Sequence, residues 1–375
     1  MKRLLTLPLL LASLIGASQT GASQTAYFID GYHGGIYGHL PSRQTKFMVE
    51  QLAAHPDWKI NLELEPESWD SIEKSDPVNY AAFQRLIADQ SAGGRIEYVN
   101  PAYGQSYLYN ISGESIIRQF DYGMKKLRRH FPGIVFSTYS SEEPCFTSAL
   151  PQILRSYGFR YASLKNPNTC WGGYTRAFGG ELVNWIGPDG SSVLTSPRSA
   201  VEALKPRSIW ETIASSNSEE YVKAAFAAGI SHPVGMCLQD AGWSFGPWLR
   251  GHGYAPTKYE TWRGYFAKCS SQPADWHFSQ EDVLVGLMWG SQCFTAYSPK
   301  RKTFGELIDS GRENGRHGGY LERGSPAIGI ARRSLANPAA VSAPRLLDST
   351  LQRQARRHLG RQGSALDRRH RRARR

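Results

Sequence analysis

Apolar positions along the chain fall into short runs that alternate with amphipathic stretches. Tyr27, Phe28 and Ile29 form the first run and empty, at Asp30, into a loop carrying Gly31, His33, Gly34, Gly35, Gly38 and His39, the pattern of a buried strand followed by a glycine-rich turn. Ser42 is a candidate cap for a helix through His55. Trp58–Leu64 then alternates as WKINLEL, a strand signature that stops at Glu65, Pro66, Glu67, Ser68, Trp69. Asp76 and Pro77 open a helix to about Gln90, and Arg95–Val99 reads as a short strand. After Ser112 and Glu114, apolar Ile116, Phe120, Met124, Leu127 and Phe131 recur at three- and four-residue steps, so one side of a helix is apolar. Ile134–Tyr139, Arg160–Leu164 and Pro233–Leu238 read as further strands, with helices at Thr147–Tyr157 and Glu219–Ala228 and a hairpin of Leu182–Ile186 with Val193–Ser196 around GPDG.

Strand followed by helix, repeated in this way, predicts an α/β domain with a mostly parallel sheet. About seven such units fit between Ala26 and Gly305, enough for a closed or nearly closed barrel. Reactive groups in such folds collect at the carboxyl ends of strands. Here those ends carry Asp30 and His33, Glu65 and Glu67, Glu142 and Glu143, and Asp240. Each alone also reads as a turn or helix cap; as a set they predict a site. Asp30 and His33 add ligand types that zinc prefers.

The charge picture changes on inspection. The formal net charge is +12, but thirteen arginines and two acids fall in residues 331–375, leaving 31 basic and 30 acidic residues for the rest. A nearly neutral body gives no ground for a nucleic-acid partner. Lys2, Arg3 and the apolar run Leu4–Gly16 have the layout of a secretory signal peptide, too short to span a bilayer comfortably, so residues 1–25 are expected to direct a secreted or periplasmic protein with no membrane partner after cleavage. The body is then residues 26–323. Residues 324–375 lack apolar periodicity and end RRHRRARR, an Arg-rich tail expected to be disordered or to stem from a shifted reading frame. Five scattered cysteines, Cys145, Cys170, Cys237, Cys269 and Cys293, describe neither a disulfide framework nor a zinc ribbon.

The stretches GGRIEYVNPAYGQSY with SGESIIRQFDYGMKKLRRHFPG, TYSSEEPCFTSALPQILRSYGF, VNWIGPDGSSVLTSPR and MCLQDAGWSFGP follow one another within Ala26–Pro247. In this order they resemble the amino-terminal catalytic domain of glycoside hydrolase family 38, the α-mannosidase family. The resemblance implies a seven-stranded β/α barrel of the glycoside hydrolase/deacetylase type and a retaining mechanism on α-mannoside-like bonds around zinc. It sets Glu142 or Glu143 opposite the family's nucleophilic aspartate, with the Glu-Pro pair favouring Glu143, and matches Asp240 to the loop that supplies the acid/base. Where the family has His-x-Asp after its first strand, this chain reads Asp30, Gly31, Tyr32, His33, so the metal pair is expected at Asp30 and His33 in reversed order. The resemblance also implies a further histidine ligand from a helical domain beyond the barrel, and this chain is expected to stop before it.

Trp69, Trp171 and Trp243 are candidates to stack on sugar faces, with core packing as the competing role, and Glu65 is a second candidate acid. Two other readings stand beside the glycosidase. One is a carbohydrate-binding or inactive truncated remnant. The other is a metal-dependent polysaccharide deacetylase, set back by the lack of any His-x-x-x-His.

Overall fold

The computed structural model describes residues 24–36, 40–104, 108, 111–142, 146–165, 176–177, 180–208, 211–239, 246–250, 253–269 and 272–283. The first sheet is wholly parallel. It contains β1 (Ala26–Gly34), β2 (Ile60–Leu64), β3 (Ile96–Tyr98) and β8 (Val234–Gln239) in the order β3-β2-β1-β8, with β9 (Thr257–Tyr259) pairing with the first residues of β1. The second sheet has the order β10-β6-β7-β5-β4, from β4 (Thr138–Tyr139), β5 (Tyr161–Ser163), β6 (Val183–Ile186), β7 (Ser192–Ser196) and β10 (Ala274–His277).

The expected seven-stranded barrel is therefore corrected to two sheets, and no closed barrel forms among the described residues. The reason lies in β6 and β7, which pair antiparallel as the hairpin around GPDG and interrupt the run of parallel neighbours that closure requires. The sheets nonetheless adjoin at one edge, where Ser140 N donates to Val99 O at 3.0 Å.

Helices form where the pattern and caps agree. In α4 (Gly113–His130) the Ser112 hydroxyl accepts from Ser115 N, Glu114 lies in the first turn, and Arg128, Arg129 and His130 lie in the last, a charge order that complements the helix dipole. Its Ile116, Phe120, Met124 and Leu127 are buried, each worth about 1.5–3 kcal/mol relative to exposure. Asp76 caps α3 (Pro77–Ile87) and Ser218 caps α6 (Glu219–Ala227), as expected from their positions. Ser42 does not cap α1 (Gln44–Ala54): Arg43, at φ 62°, occupies that position without a side-chain bond. A helix absent from the sequence reading, α2 (Ser68–Ser75), follows β2 directly. A short α5 (Leu150–Ser156) precedes β5.

Helix α2 is tied to α4 through a charged network. Asp70 accepts from Lys126 Nζ at 2.5 Å, pairs with His130 Nε2 at 2.9 Å and contacts Arg129. Burial opposes the charged form of Asp70, but hydrogen bonds from Lys126 and His130 and the charges of Lys126 and Arg129 outweigh it and hold the carboxyl below its usual range. A carboxyl depressed in the fold adds stability above its unfolded value of about 3.9, and that stability is lost as pH falls through the folded value. Asp70→Asn is thus expected to cost about 1–2 kcal/mol at pH 7 and progressively less as pH falls below about 3.9. Thermal unfolding across pH checks this; a deficit that does not change with pH would contradict it.

One end of the inter-sheet space is filled by α7 (Trp262–Phe266). Trp262, Tyr265 and Phe266 pack with Ile29, Met236 and Leu238 of the first sheet, with Val99 just after β3, and with Leu182 beside the second sheet. Trp262 N donates to Asn61 Oδ1 and Arg263 N to Glu97 Oε2, while the Arg263 guanidinium donates to the carbonyls of Ser91 and Ile96. Asn61 and Glu97 are fully buried on strands, and these bonds satisfy them.

Candidate active site at the carboxyl edge of the parallel strands

The strand β2, INLEL, is buried at every position. Ile60, Leu62 and Leu64 join the apolar core under the helices, so the alternate residues Asn61 and Glu63 face the other way, toward the space between the sheets. On β1, Tyr32 joins that same helix-side core, whereas Ile29 packs in the inter-sheet cluster. Gly31, His33 and Ile29 therefore share the inner face. Register confirms the geometry, with His33 opposite Glu63 and Gly31 opposite Asn61.

Glu63 is the centre of the site. It is 1% exposed, and among the described residues four donors converge on its carboxylate. Asn100 Nδ2 and Ser141 Oγ each reach Oε1 at 2.6 Å; Glu142 N reaches Oε2 at 2.7 Å and His33 Nδ1 lies 3.0 Å from it. These groups come from β1, from β2, from the residues after β3 and from the residues after β4. One carboxylate thus gathers the carboxyl ends of four parallel strands. Neither Glu63, Asn100 nor Ser141 was singled out from the sequence. The available signal was the alternation of INLEL in a fold whose parallel strands are covered on both faces, where a polar alternate position must point into the interior.

Glu142 stands where the resemblance placed a nucleophile. It is buried, and its backbone is fixed by Glu63. Glu65, also buried, follows β2; its N donates to Gly34 O at 2.9 Å and its side chain packs against Gly35. Gly35 has φ +143°, and a Cβ there would lie 2.6 Å from Glu65 Cβ, so only glycine fits the close approach of the two strand ends. Glu143, Asp240, Trp171 and Trp243 lie outside the described residues. Two of them follow described residues: Glu142 precedes Glu143, and Asp240 follows Gln239, the last residue of β8, opposite Tyr32 of β1.

Two expectations are corrected. Asp30 and His33 do not form a metal pair. Three residues apart on one strand, they point to opposite faces: His33 meets Glu63 inside, while Asp30 lies under the helices, where Trp58 Nε1 donates to Oδ2 at 2.7 Å and Trp248 N at 2.9 Å. The second correction is Trp69. It is 0% exposed, stacked on Phe83 at 5.0 Å and edge-on to Phe131 at 4.8 Å, with Nε1 donating to Tyr98 Oη at 3.1 Å, so it is a core residue and presents no face to a sugar.

Across the second sheet, Lys165 follows β5 and Arg198 follows β7. Lys165 pairs with buried Glu202, which also accepts from Ser199 N at 2.9 Å, while Arg198 Nη2 donates to Glu202 O at 2.7 Å. This network fixes the turn after β7.

A model of the glycosyl hydrolases family 38 N-terminal domain matches residues 42–243, which include Glu63, Asn100, Ser141, Glu142 and Glu143. The chain belongs to this family. The match begins after β1, so it does not extend to Asp30 or His33. Among solved structures, the family 38 chain is similar to the 4-alpha-glucanotransferase of Thermococcus litoralis, at 17% identity over 66% of this chain and 39% of that one, with a TM-score of 0.45. It is also similar to an alpha-mannosidase from Enterococcus faecalis V583, at 13% identity over 67% and 30%, with a TM-score of 0.45. The chain therefore spans well under half the length of either. No curated protein sequence matches it.

Proposed function

We propose that the chain is an exported glycoside hydrolase that cleaves α-mannoside-like bonds with retention of anomeric configuration. The observation that carries the reading is the convergence of four strand ends on Glu63, which fixes the backbone of Glu142, next in the chain to Glu143, where the carboxyl ends of β1 to β4 meet. Membership of a glycosidase family gives that convergence its chemistry. The amino-terminal pattern of Lys2, Arg3 and the apolar run Leu4–Gly16 supports export.

In this reading Glu143 attacks the anomeric carbon, with Glu142 the alternative nucleophile, and Asp240, on the segment leaving β8, protonates the leaving oxygen and then activates water. A retaining pair needs its carboxyls about 5 Å apart. Glu63 acts one layer back: by accepting from Glu142 N and Ser141 Oγ it holds the nucleophile segment in place. A zinc ion at Asp30 and His33 does not fit the two opposite faces those side chains occupy. The same mismatch favours the second reading, a sugar-binding remnant of the family without turnover.

The test is hydrolysis of an aryl α-mannoside followed by proton NMR of the sugar first released. The α-anomer is expected. Release of the β-anomer would overturn retention, and turnover unchanged by Glu143→Gln would remove that residue from the mechanism. Sugar binding without hydrolysis would establish the remnant instead.

A further inference from the structure

Among the described residues, two groups bring three potential metal ligands together, and their electrostatics separate them. In the first, Asp70, Glu73 and His130 lie within reach of one another, but Lys126 Nζ is 2.5 Å from Asp70 and Arg129 contacts the same carboxylate. Two side-chain cations already neutralise that cluster, and a third positive charge would meet repulsion. The second comprises Glu181, His232 and Cys269, whose ligand atoms all lie within 4.8 Å of one another. The three come from separate segments: Glu181 leads into β6, His232 leads into β8, and Cys269 follows α7.

From this geometry we infer that Glu181, His232 and Cys269 form a zinc site that joins the two sheets and α7. Carboxylate, imidazole and thiolate together are a donor set suited to zinc, with water completing four ligands. For metal–ligand distances of 2.0–2.3 Å a tetrahedron's edge is roughly 3.5 Å, so no pair need close by more than about 1.3 Å, and Glu181 Oε1 and His232 Nδ1, 2.5 Å apart, open by about 1 Å to admit the metal. The His232 side chain, 26% exposed, has room for that movement against the buried Glu181 carboxylate. The surroundings already hold them close to it. Glu181 Oε1 lies 2.5 Å from His232 Nδ1, Tyr265 Oη donates to His232 O at 3.0 Å, Cys269 N donates to Tyr265 O at 3.3 Å, and the Tyr27 ring lies 6.0 Å from that of His232. When zinc enters, the Cys269 thiol releases its proton to water as the zinc–sulfur bond forms. His232 keeps its single proton on the ring nitrogen turned away from the metal.

The site is distinct from the Glu63 cluster. Tyr27, beside His232, and His33, beside Glu63, are six residues apart on β1, which is roughly 20 Å along a strand. The metal would therefore staple the sheets at the end remote from the proposed chemistry, where Leu182 and Val234 meet the aromatic residues of α7.

The experiment uses the full chain, stripped with a chelator and titrated with zinc and, separately, with cobalt(II). One equivalent is expected to give a near-ultraviolet thiolate-to-cobalt band and to raise the unfolding temperature. Cys269→Ser should abolish the band, and His232→Asn should weaken zinc binding by at least about 100-fold. Asp70→Asn should leave both unchanged. A cobalt–thiolate band that persists in Cys269→Ser, or zinc affinity within about twofold of wild type in His232→Asn, would overturn the site. Should either variant fail to fold, alkylation of Cys269 in the wild-type chain decides the matter: zinc is expected to protect this thiol, and an unchanged alkylation rate would refute the proposal.

Discussion

Glu63→Ala is expected to lower stability by about 3–5 kcal/mol, because it removes the buried acceptor of four donors. His33 Nδ1, Asn100 Nδ2, Ser141 Oγ and Glu142 N would all lose their bond to this carboxylate at once. For a domain of this size, 1 kcal/mol corresponds to about 2–4 °C, so the unfolding temperature should fall by roughly 6–20 °C. Glu63→Gln keeps the shape but turns an N–H toward one pair of donors, and an intermediate loss is expected. Thermal unfolding followed by circular dichroism reads both variants. A fall of under about 2 °C for the alanine variant would mean that the carboxylate does not hold these strand ends together. Any turnover should fall further than stability does, since a shift of about 1 Å in the Ser141–Glu142 segment can cost about 100-fold in rate.

Trp69→Ala should be comparably damaging for a different reason. It empties a fully buried indole from between Phe83 and Phe131, and such truncations cost about 3–5 kcal/mol. It also takes a donor from Tyr98 Oη, which in turn donates to Leu64 O at the end of β2. The expected signature is a large drop in unfolding temperature with no change in sugar affinity of the chain that remains folded. Weakened sugar binding at unaltered stability would return Trp69 to the substrate site. Trp69→Phe, which fills most of the volume, should recover more than half of the loss.

The tryptophan shows why composition misleads about sites. An aromatic residue next to strand-end carboxylates reads equally well as a sugar platform or as core, because sequence gives its position along the chain and not its direction. Trp69 lies in α2, a helix that the run EPESW concealed, and the helix turns the ring onto α3 and Phe131. Asp30 and His33 show the same limit on a strand. As neighbours in a glycine-rich stretch they resemble a ligand pair; a strand's two-residue period sends them to opposite faces.

The sequence by itself determined the order of strands and helices from β1 to β8 apart from α2, the caps at Asp76, Ser112 and Ser218, the GPDG hairpin and the family resemblance, since each depends on local propensity, periodicity or motif. Only the tertiary structure decided that the strands make two sheets in place of a closed barrel, that Glu63 is the point where four strand ends meet, and that Glu181, His232 and Cys269 come together from separate segments. Those outcomes depend on which face of each element is covered and on contacts between residues tens to hundreds of positions apart, and no local pattern encodes either.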